Sequence, residues 1–202
     1  MKVRNVHRII GIILLLPFFG WAITGFIFFI KPGYSAAYES LSTKTYPLPD
    51  SVIVASDSGW REFRYFRTIV GDHLIVRTDS DWVHLDPVTR KPRNKPNEVE
   101  IQLLLKDAFA TNPERYGEVS SISGETTPIV IGTNTDVEVT LDWSRVSLYQ
   151  KGKDTDRIDL FYKIHYLQWT GIKIVDRILG IVGLVLVMVL ATLGAWLSIK
   201  RG

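Results

Sequence analysis

Two long apolar runs lie near the ends of the chain, at residues 9–30 and 178–199, and neither contains a charged residue. Each is about 22 residues long, which at about 1.5 Å per residue spans roughly 33 Å, enough to cross a bilayer core with some tilt. Pro17 lies inside the first run, where neighbouring helices can satisfy the backbone group that a proline frees. The pattern therefore predicts two transmembrane helices.

A cleaved signal peptide is the alternative for the first run. The run is longer than the apolar region of such peptides, which is about 7 to 15 residues. The segment YSAA at 34–37 offers only a weak cleavage site. We interpret the first run as a membrane anchor that pairs with the second.

Between the runs, alternation of apolar and polar residues predicts strands within 62–70, 72–79 and 82–92, with a hairpin turn at Gly71-Asp72. Residues 96–110 predict a helix with Asn97 as its N-cap. Its apolar residues share one stripe at helical spacing: Ile101, Leu104, Leu105 and Ala108.

Residues 127–154 return to strand patterns, with turn signals at 132–136 and 151–154. The predicted fold class is α+β, in which strands, one main helix and further strands form a domain between the two membrane helices. A Leu-Asp pair ends a predicted strand twice, at 85–86 and at 141–142. Two related β-turn-β units would produce this echo, and so would chance.

Charge on the flanks predicts the topology. Five of the 24 Lys and Arg residues lie on the terminal flanks, before the first run or after the second: Lys2, Arg4, Arg8, Lys200 and Arg201. All 21 acidic residues lie between the runs. Because Lys and Arg concentrate on the inner side of a membrane, both termini are predicted to be cytoplasmic. The mildly basic total of +3 therefore arises from these flanks and gives no argument for nucleic acid.

The chain has no cysteine. Structural disulfides, thiolate metal sites and covalently attached c-type haem are therefore excluded. The sequence also contains no catalytic signature for a serine hydrolase, a zinc protease, a P-loop or a dinucleotide fold. We expect no self-contained catalytic site.

Two parts of the sequence resemble the PepSY-associated transmembrane family. The segment VHRIIGIILLLPFFGWAITGFIFF resembles the family's first membrane helix, and WVHLDPVTRKP resembles a strand and turn of PepSY domains. The residues that carry the membrane-helix resemblance are His7, Arg8, Gly11, Thr24 and Gly25, and then His165, Gly180, Gly183 and Gly194. The sequence differs from the family in having Arg90 where a glycine often follows the turn threonine.

The resemblance implies a domain organisation. Its segments are a cytoplasmic flank 1–8, a membrane helix 9–30, a periplasmic PepSY-like domain 31–157, an interfacial amphipathic helix 158–177, a membrane helix 178–199 and a cytoplasmic tail 200–202. The implied location is the bacterial inner membrane, with residues 31–177 on the periplasmic side.

The histidines are the candidate ligands. His73 and His84 lie in predicted strands, where we expect half-exposed structural residues that can pair across neighbouring strands. His7 and His165 lie at membrane boundaries, where an ionisable residue is a functional hypothesis by default. Met188 in mid-span is interpreted as packing. Both His7 and His165 are candidates for axial ligands of a haem b iron, as larger members of the family imply.

His7 and His165 are predicted to lie at opposite faces, roughly 30 Å apart across the hydrocarbon, so one chain cannot hold one haem with both. The hypothesis therefore needs a homodimer or a partner membrane subunit, with five-coordinate haem as a further option. The small residues of both runs permit close helix approach, within one hairpin or around a porphyrin.

Two functions follow from the resemblance. The first is a haem b-linked electron-transfer protein for iron or siderophore utilisation, at most a subunit of a ferric or siderophore reductase. The alternative is a membrane-anchored periplasmic module, without haem, that binds a peptide, a protease or a transporter. The expected partners are the lipid bilayer, a second copy or membrane subunit, and a periplasmic protein or iron chelate.

Overall fold

The computed structural model describes residues 3–48, 51–124 and 128–200. An apolar helix stands at each end of a region of antiparallel sheets, which confirms the α+β class. The elements are α1 Val3–Ile30, α2 Tyr34–Ala37, β1 Glu62–Thr68, β2 Gly71–Arg77, β3 Trp82–Leu85, α3 Glu98–Phe109, α4 Pro113–Tyr116, β4 Val119–Ser123, β5 Ile129–Thr133, β6 Glu138–Asp142, β7 Ser147–Lys151, α5 Lys153–His165 and α6 Lys173–Ile199.

Helices α1 and α6 are long and apolar enough to cross a membrane. Their large apolar side chains are mostly outward: Leu16 is 68% exposed, Phe29 86% and Ile199 81%. A core helix of a soluble protein would bury such side chains, whereas a helix in lipid exposes them. These observations support a membrane protein.

Glycines lie where α1 and α6 approach each other. A Cβ placed on Gly11 would lie 3.8 Å from Leu190, and one on Gly194 would lie 3.2 Å from Nε2 of His7. The start of α1 is thus beside the end of α6, so the two helices are antiparallel. Small residues therefore serve the packing of the hairpin itself, which was one of the two uses considered for them.

The interfacial helix predicted over 158–177 is interrupted at 166–172. Helix α5 ends at His165 because Leu167 adopts a left-handed backbone, with φ +56°. The Gln168 amide donates to the Lys163 carbonyl at 2.8 Å and the Leu167 amide donates to the Ile164 carbonyl at 3.3 Å. This is a Schellman cap with leucine in the position that usually holds glycine.

Side chains complete the hydrogen bonding of this helix end. Trp21 Nε1 donates to the His165 carbonyl at 2.6 Å, and Trp169 Nε1 donates to the Ile164 carbonyl at 3.2 Å. The last turn of a helix leaves its carbonyls without helical partners, and such groups are costly to bury in an apolar region. The two indoles therefore stabilise the point where the chain turns toward α6.

Residues Ser35–Asp154 form a compact unit of their own. It contains two antiparallel meanders, β1-β2-β3 and β4-β5-β6-β7. Helix α3 packs its predicted stripe into the core, where Leu104, Leu105 and Ala108 are at most 1% exposed. The capping box of Asn97 and Glu100 starts this helix as the sequence indicated.

Two local predictions in this unit need correction. The first hairpin turns at residues 69–70 and not at Gly71-Asp72, because Gly71 pairs with Thr68 as the first residue of β2. Gly71 has φ +106°, which an L side chain rarely adopts. Strand β4 is an element that the alternation did not predict, since its sequence VSSIS has few apolar residues.

The repeated Leu-Asp pair has the same local role in both places. Asp86 Oδ1 accepts hydrogen bonds from the amides of Val88 and Thr89 at 3.1 and 2.7 Å. Asp142 Oδ1 likewise accepts from the Ser144 amide at 2.9 Å. Each aspartate therefore forms the turn that follows its strand, as Asx turns do.

The turn that follows β3 contains Arg90 with φ +57°, a left-handed conformation that a glycine would adopt without a steric penalty. We expect Arg90→Gly to raise the free energy of unfolding of this unit by about 1 kcal/mol, measured by urea titration of the full chain in detergent. Arg90→Ala removes the same exposed side chain but keeps a Cβ, so it should give no gain. Equal stabilisation by both variants would show that strain is not the cause.

Candidate functional site at His165

The four histidines of the chain divide between its two compact units. His73 and His84 belong to the unit Ser35–Asp154, and His7 and His165 belong to the unit that contains α1 and α6. A neutral imidazole carries one N–H and one lone pair. A histidine can therefore bind a metal only if its lone pair is not already committed to a hydrogen bond.

In the unit Ser35–Asp154 (the sheet unit), His73 and His84 belong to one chain of hydrogen bonds in which each donor can be assigned. His84 Nδ1 lies 2.9 Å from the Trp143 carbonyl, which can only accept, so this nitrogen carries the hydrogen. His84 Nε2 must then accept, and His73 Nδ1 donates to it at 3.1 Å. His73 Nε2 in turn accepts from the Thr68 hydroxyl at 2.7 Å. Both lone pairs are occupied, so neither histidine is available as a ligand.

The two histidines are buried, with His73 0% and His84 5% exposed. The expectation of half-exposed strand residues was therefore wrong, although the cross-strand pairing is confirmed. Both side chains point from β2 and β3 into a layer closed by Trp143, whose ring lies 4.6 Å from His84 and 5.6 Å from His73. Period-2 alternation predicted strands but did not show which face of the sheet would be covered.

Burial and the nearby Arg93 guanidinium both favour the neutral form of this pair. Burial, then the charge of Arg93, then His84 lower the pKa of His73 to about 3. Burial followed by Arg93 lowers the pKa of His84 to about 4. Arg93 Nη1 is 3.4 Å from His73 Nδ1, but both atoms carry hydrogens, so the contact is repulsive rather than a hydrogen bond.

These lowered pKa values make the sheet unit sensitive to acid. Between pH 5 and 6.5 the unfolded chain binds protons at both histidines and the folded chain does not, so stability is lost as pH falls through this range. The free energy of unfolding should fall by up to about 1.4 kcal/mol per pH unit for each histidine. Urea titrations across this range measure the slope.

His84→Gln is the diagnostic variant for this slope. It lowers the stability at pH 7 because a buried hydrogen bond is lost, but it should also reduce the pH slope by about half. A slope that stays unchanged in His84→Gln would assign the acid sensitivity to other groups.

His165 has a different hydrogen-bond environment. It is the last residue of α5, and its Nδ1 lies 2.8 Å from the hydroxyl of Thr24 on α1. The single hydroxyl hydrogen of Thr24 is directed to the Gly20 carbonyl at 2.6 Å. The hydroxyl oxygen must therefore accept from His165, so Nδ1 carries the hydrogen and Nε2 carries the lone pair.

The lone pair of His165 Nε2 has no hydrogen-bond partner among the described residues. Thr24, at 1% exposure, holds the ring from the side opposite Nε2. Metal-ligating histidines commonly have their other nitrogen held in this way, which fixes the tautomer and makes the ligand more basic. The residues present thus fit an imidazole ligand for iron.

Two aromatic rings contact His165 directly. The Phe28 ring contacts the imidazole edge-on with centroids 5.2 Å apart, and Tyr166 does so at 5.5 Å. Tyr162 stacks on Phe28 at 4.6 Å. The imidazole therefore lies half-buried in an aromatic group built from α1 and α5.

His7 lies near the other end of α1. A Cβ at Gly194 would be 3.2 Å from His7 Nε2, so the absence of a side chain at Gly194 leaves the space that the imidazole fills. His7 and Thr24 are separated along α1 by an axial distance of roughly 25 Å. Because His165 is bonded to Thr24, His7 and His165 cannot ligate the same iron.

No group of three or more His, Cys, Asp or Glu side chains that could hold a metal ion is found within residues 3–48, 51–124 and 128–200. Haem iron can be held by a single imidazole, since the porphyrin supplies the other donors. The Met188 side chain, interpreted from the sequence as a packing residue, is 65% exposed on α6 and therefore packs little within this chain.

The sequence patterns did not identify the residues that hold His165 in place, Thr24 at its ring and Trp21 at its carbonyl. Thr24 was noted only through the family resemblance, and Trp21 was not noted. A signal was present, because Trp21 and Thr24 are polar-tipped residues three apart in an otherwise apolar run and so share one helix face. Their partner on α5 could not be identified without the tertiary structure.

Comparison of the chain with protein-family models, with curated proteins and with solved structures gives no match.

Proposed function

We propose that this chain is a two-pass protein of the bacterial inner membrane that holds haem b through His165 and serves electron transfer in iron or siderophore utilisation. The observation that supports the proposal is the open Nε2 of His165, with Nδ1 donating to Thr24. The resemblance of both membrane helices to the PepSY-associated family adds the link to iron. In this proposal both termini are cytoplasmic and residues 31–177 are periplasmic.

Haem b, when bound, supplies a one-electron couple that the side chains of this chain lack. His165 would hold the iron through Nε2, and Thr24 would keep its ring in the Nδ1–H tautomer. Phe28 and Tyr162 exclude water from one side of the imidazole, which favours the less charged state of a metal centre. The indole of Trp21 holds the α5 end in position by donating to the His165 carbonyl.

A second residue that holds the haem would come from outside this hairpin, because His7 is roughly 25 Å from Thr24 along α1. A symmetric homodimer places His165 opposite its own copy and His7 opposite its own copy, which gives one site near each membrane face. A partner membrane subunit would serve the same purpose. At most, the chain is one component of a ferric or siderophore reductase.

The optical spectrum of the full chain, purified after expression with ample haem, tests the proposal. We expect a Soret band and a b-type α band, with haem content reduced in His165→Ala and in His7→Ala because each removes one ligand. His73→Gln is the control, since both nitrogens of His73 are occupied in the sheet unit. A haem-free wild type, or equal haem content in all variants, would overturn the proposal.

Thr24 provides a finer test of the same site. Thr24→Val keeps the volume but removes the oxygen that accepts from His165, and it should weaken haem binding by about 10- to 100-fold. Thr24→Ser keeps the hydroxyl and should bind haem like the wild type. Haem affinity measured by titration of the apoprotein separates the two outcomes.

The second candidate function is a membrane-anchored binding module without haem. It is favoured by a cleft of about 510 Å³ in the sheet unit, next to the edge strand β4. Phe109 and Val119 give the cleft an apolar part, and Lys106 and Glu118 give it charged ones. An edge strand beside a cleft is a common site for an extended peptide.

Capture of periplasmic proteins by the full chain tests this alternative. Lys106→Glu reverses a charge in the cleft and should abolish specific capture, whereas Lys91→Glu makes the same change outside this cleft and should not. Capture that is equal for both variants would argue against the cleft. His165→Ala distinguishes the two functions, because it removes a haem ligand but leaves the cleft intact.

A further inference from the structure

A second cavity, of about 720 Å³, lies where α5 ends and α6 begins. It belongs wholly to the unit that contains the two membrane helices. Its lining combines three cationic side chains with polar and apolar ones. The lining residues are Lys163, Tyr166, Gln168, Gly171, Lys173, Asp176, Arg177, Gly180 and Ile181.

The three cations reach the cavity from two different helices. Lys163 is on α5, and Lys173 and Arg177 are one turn apart on α6. None of the three forms an ion pair with another residue that the structure describes. Like charges held around one cavity repel each other, and an anion between them removes that cost.

The one carboxylate in the lining already has its partners. Asp176 Oδ1 accepts hydrogen bonds from the Thr170 amide at 2.9 Å and from the Thr170 hydroxyl at 2.7 Å. Asp176 is only 7% exposed, and both of these hydrogen bonds tie its Oδ1 to the loop. Asp176 forms no ion pair with Lys173 or Arg177 in the described part of the chain, and the three cations outnumber this one carboxylate in the lining.

The loop that sets the spacing of the cations is well fixed. The Schellman cap at Leu167 holds its first half, and the Thr170–Asp176 hydrogen bonds hold its second half. At Gly180 a Cβ would lie 3.5 Å from the Tyr166 carbonyl, so α6 is in close contact with the end of α5. The positions of Lys163 and Arg177 are thus built into the backbone.

Below the cations the lining becomes apolar, with Gly180 and Ile181 at the start of the charge-free part of α6. A cationic rim over an apolar floor, at the point where a helix enters lipid, matches an anionic phospholipid. The phosphate would meet the Lys and Arg side chains, and an acyl chain would lie along the apolar surface at Ile181. Basic pockets at membrane boundaries bind such headgroups in this way.

We propose that this cavity is a binding site for an anionic phospholipid, with Lys163, Lys173 and Arg177 contacting the phosphate. The proposal stands independently of haem, because no residue of the cavity is needed as an iron ligand. Arg177 can make two parallel hydrogen bonds to phosphate oxygens, while the lysines act as point charges.

Native mass spectrometry of the full chain, released from detergent with added lipid, tests the site. We expect phosphatidylglycerol to bind and phosphatidylcholine to bind at least tenfold more weakly. The triple variant Lys163→Gln, Lys173→Gln, Arg177→Gln should lose at least tenfold in affinity for phosphatidylglycerol. All three side chains are exposed, so the changes should leave the fold intact, which far-ultraviolet circular dichroism checks.

Lys31→Gln is the matched control. Lys31 is an exposed cation that follows α1, at the end of the hairpin where α6 begins, and it does not line the cavity. It should keep wild-type binding. An equal loss in Lys31→Gln would mean general attraction to anionic lipid and would overturn the proposal. Equal binding of phosphatidylcholine, or displacement of the lipid by millimolar inorganic phosphate, would overturn it as well.

Discussion

In the unit that contains α1 and α6 (the membrane unit), the candidate site depends on the hydrogen bond between His165 Nδ1 and the Thr24 hydroxyl. Thr24 sits inside an apolar helix, where its hydroxyl needs both a donor and an acceptor, and His165 and the Gly20 carbonyl supply them. The same bond fixes the end of α5 against α1. It also leaves the second ring nitrogen open, so one contact serves structure and candidate chemistry together.

The two histidines of the sheet unit show the opposite outcome for the same residue type. His73 and His84 are more deeply buried than His165, yet their ring nitrogens are all committed to Thr68, to each other and to the Trp143 carbonyl. Burial alone therefore does not identify a ligand. The direction of each hydrogen bond decides, because it shows whether a lone pair is left.

The boundary between α5 and α6 carries both candidate sites of the membrane unit. Leu167 turns the chain there at φ +56°, and its side chain packs beside Gly183. His165 contacts Thr24 of α1, while Lys163 and Arg177 line the cavity. The aromatic group around His165 and the cationic cavity lie close together because the loop between them is held at both ends.

The sequence by itself determined the two apolar helices, the α3 helix with its Asn97 cap, and most of the strands, because these follow from local periodicity and capping. It also gave His7 and His165 as candidate ligands, which stays a prediction. Only the tertiary structure decided that His73 and His84 are buried, that α5 stops at His165, and that Thr24 is its partner. Those facts depend on residues as many as 141 positions apart, whose contacts no local pattern encodes.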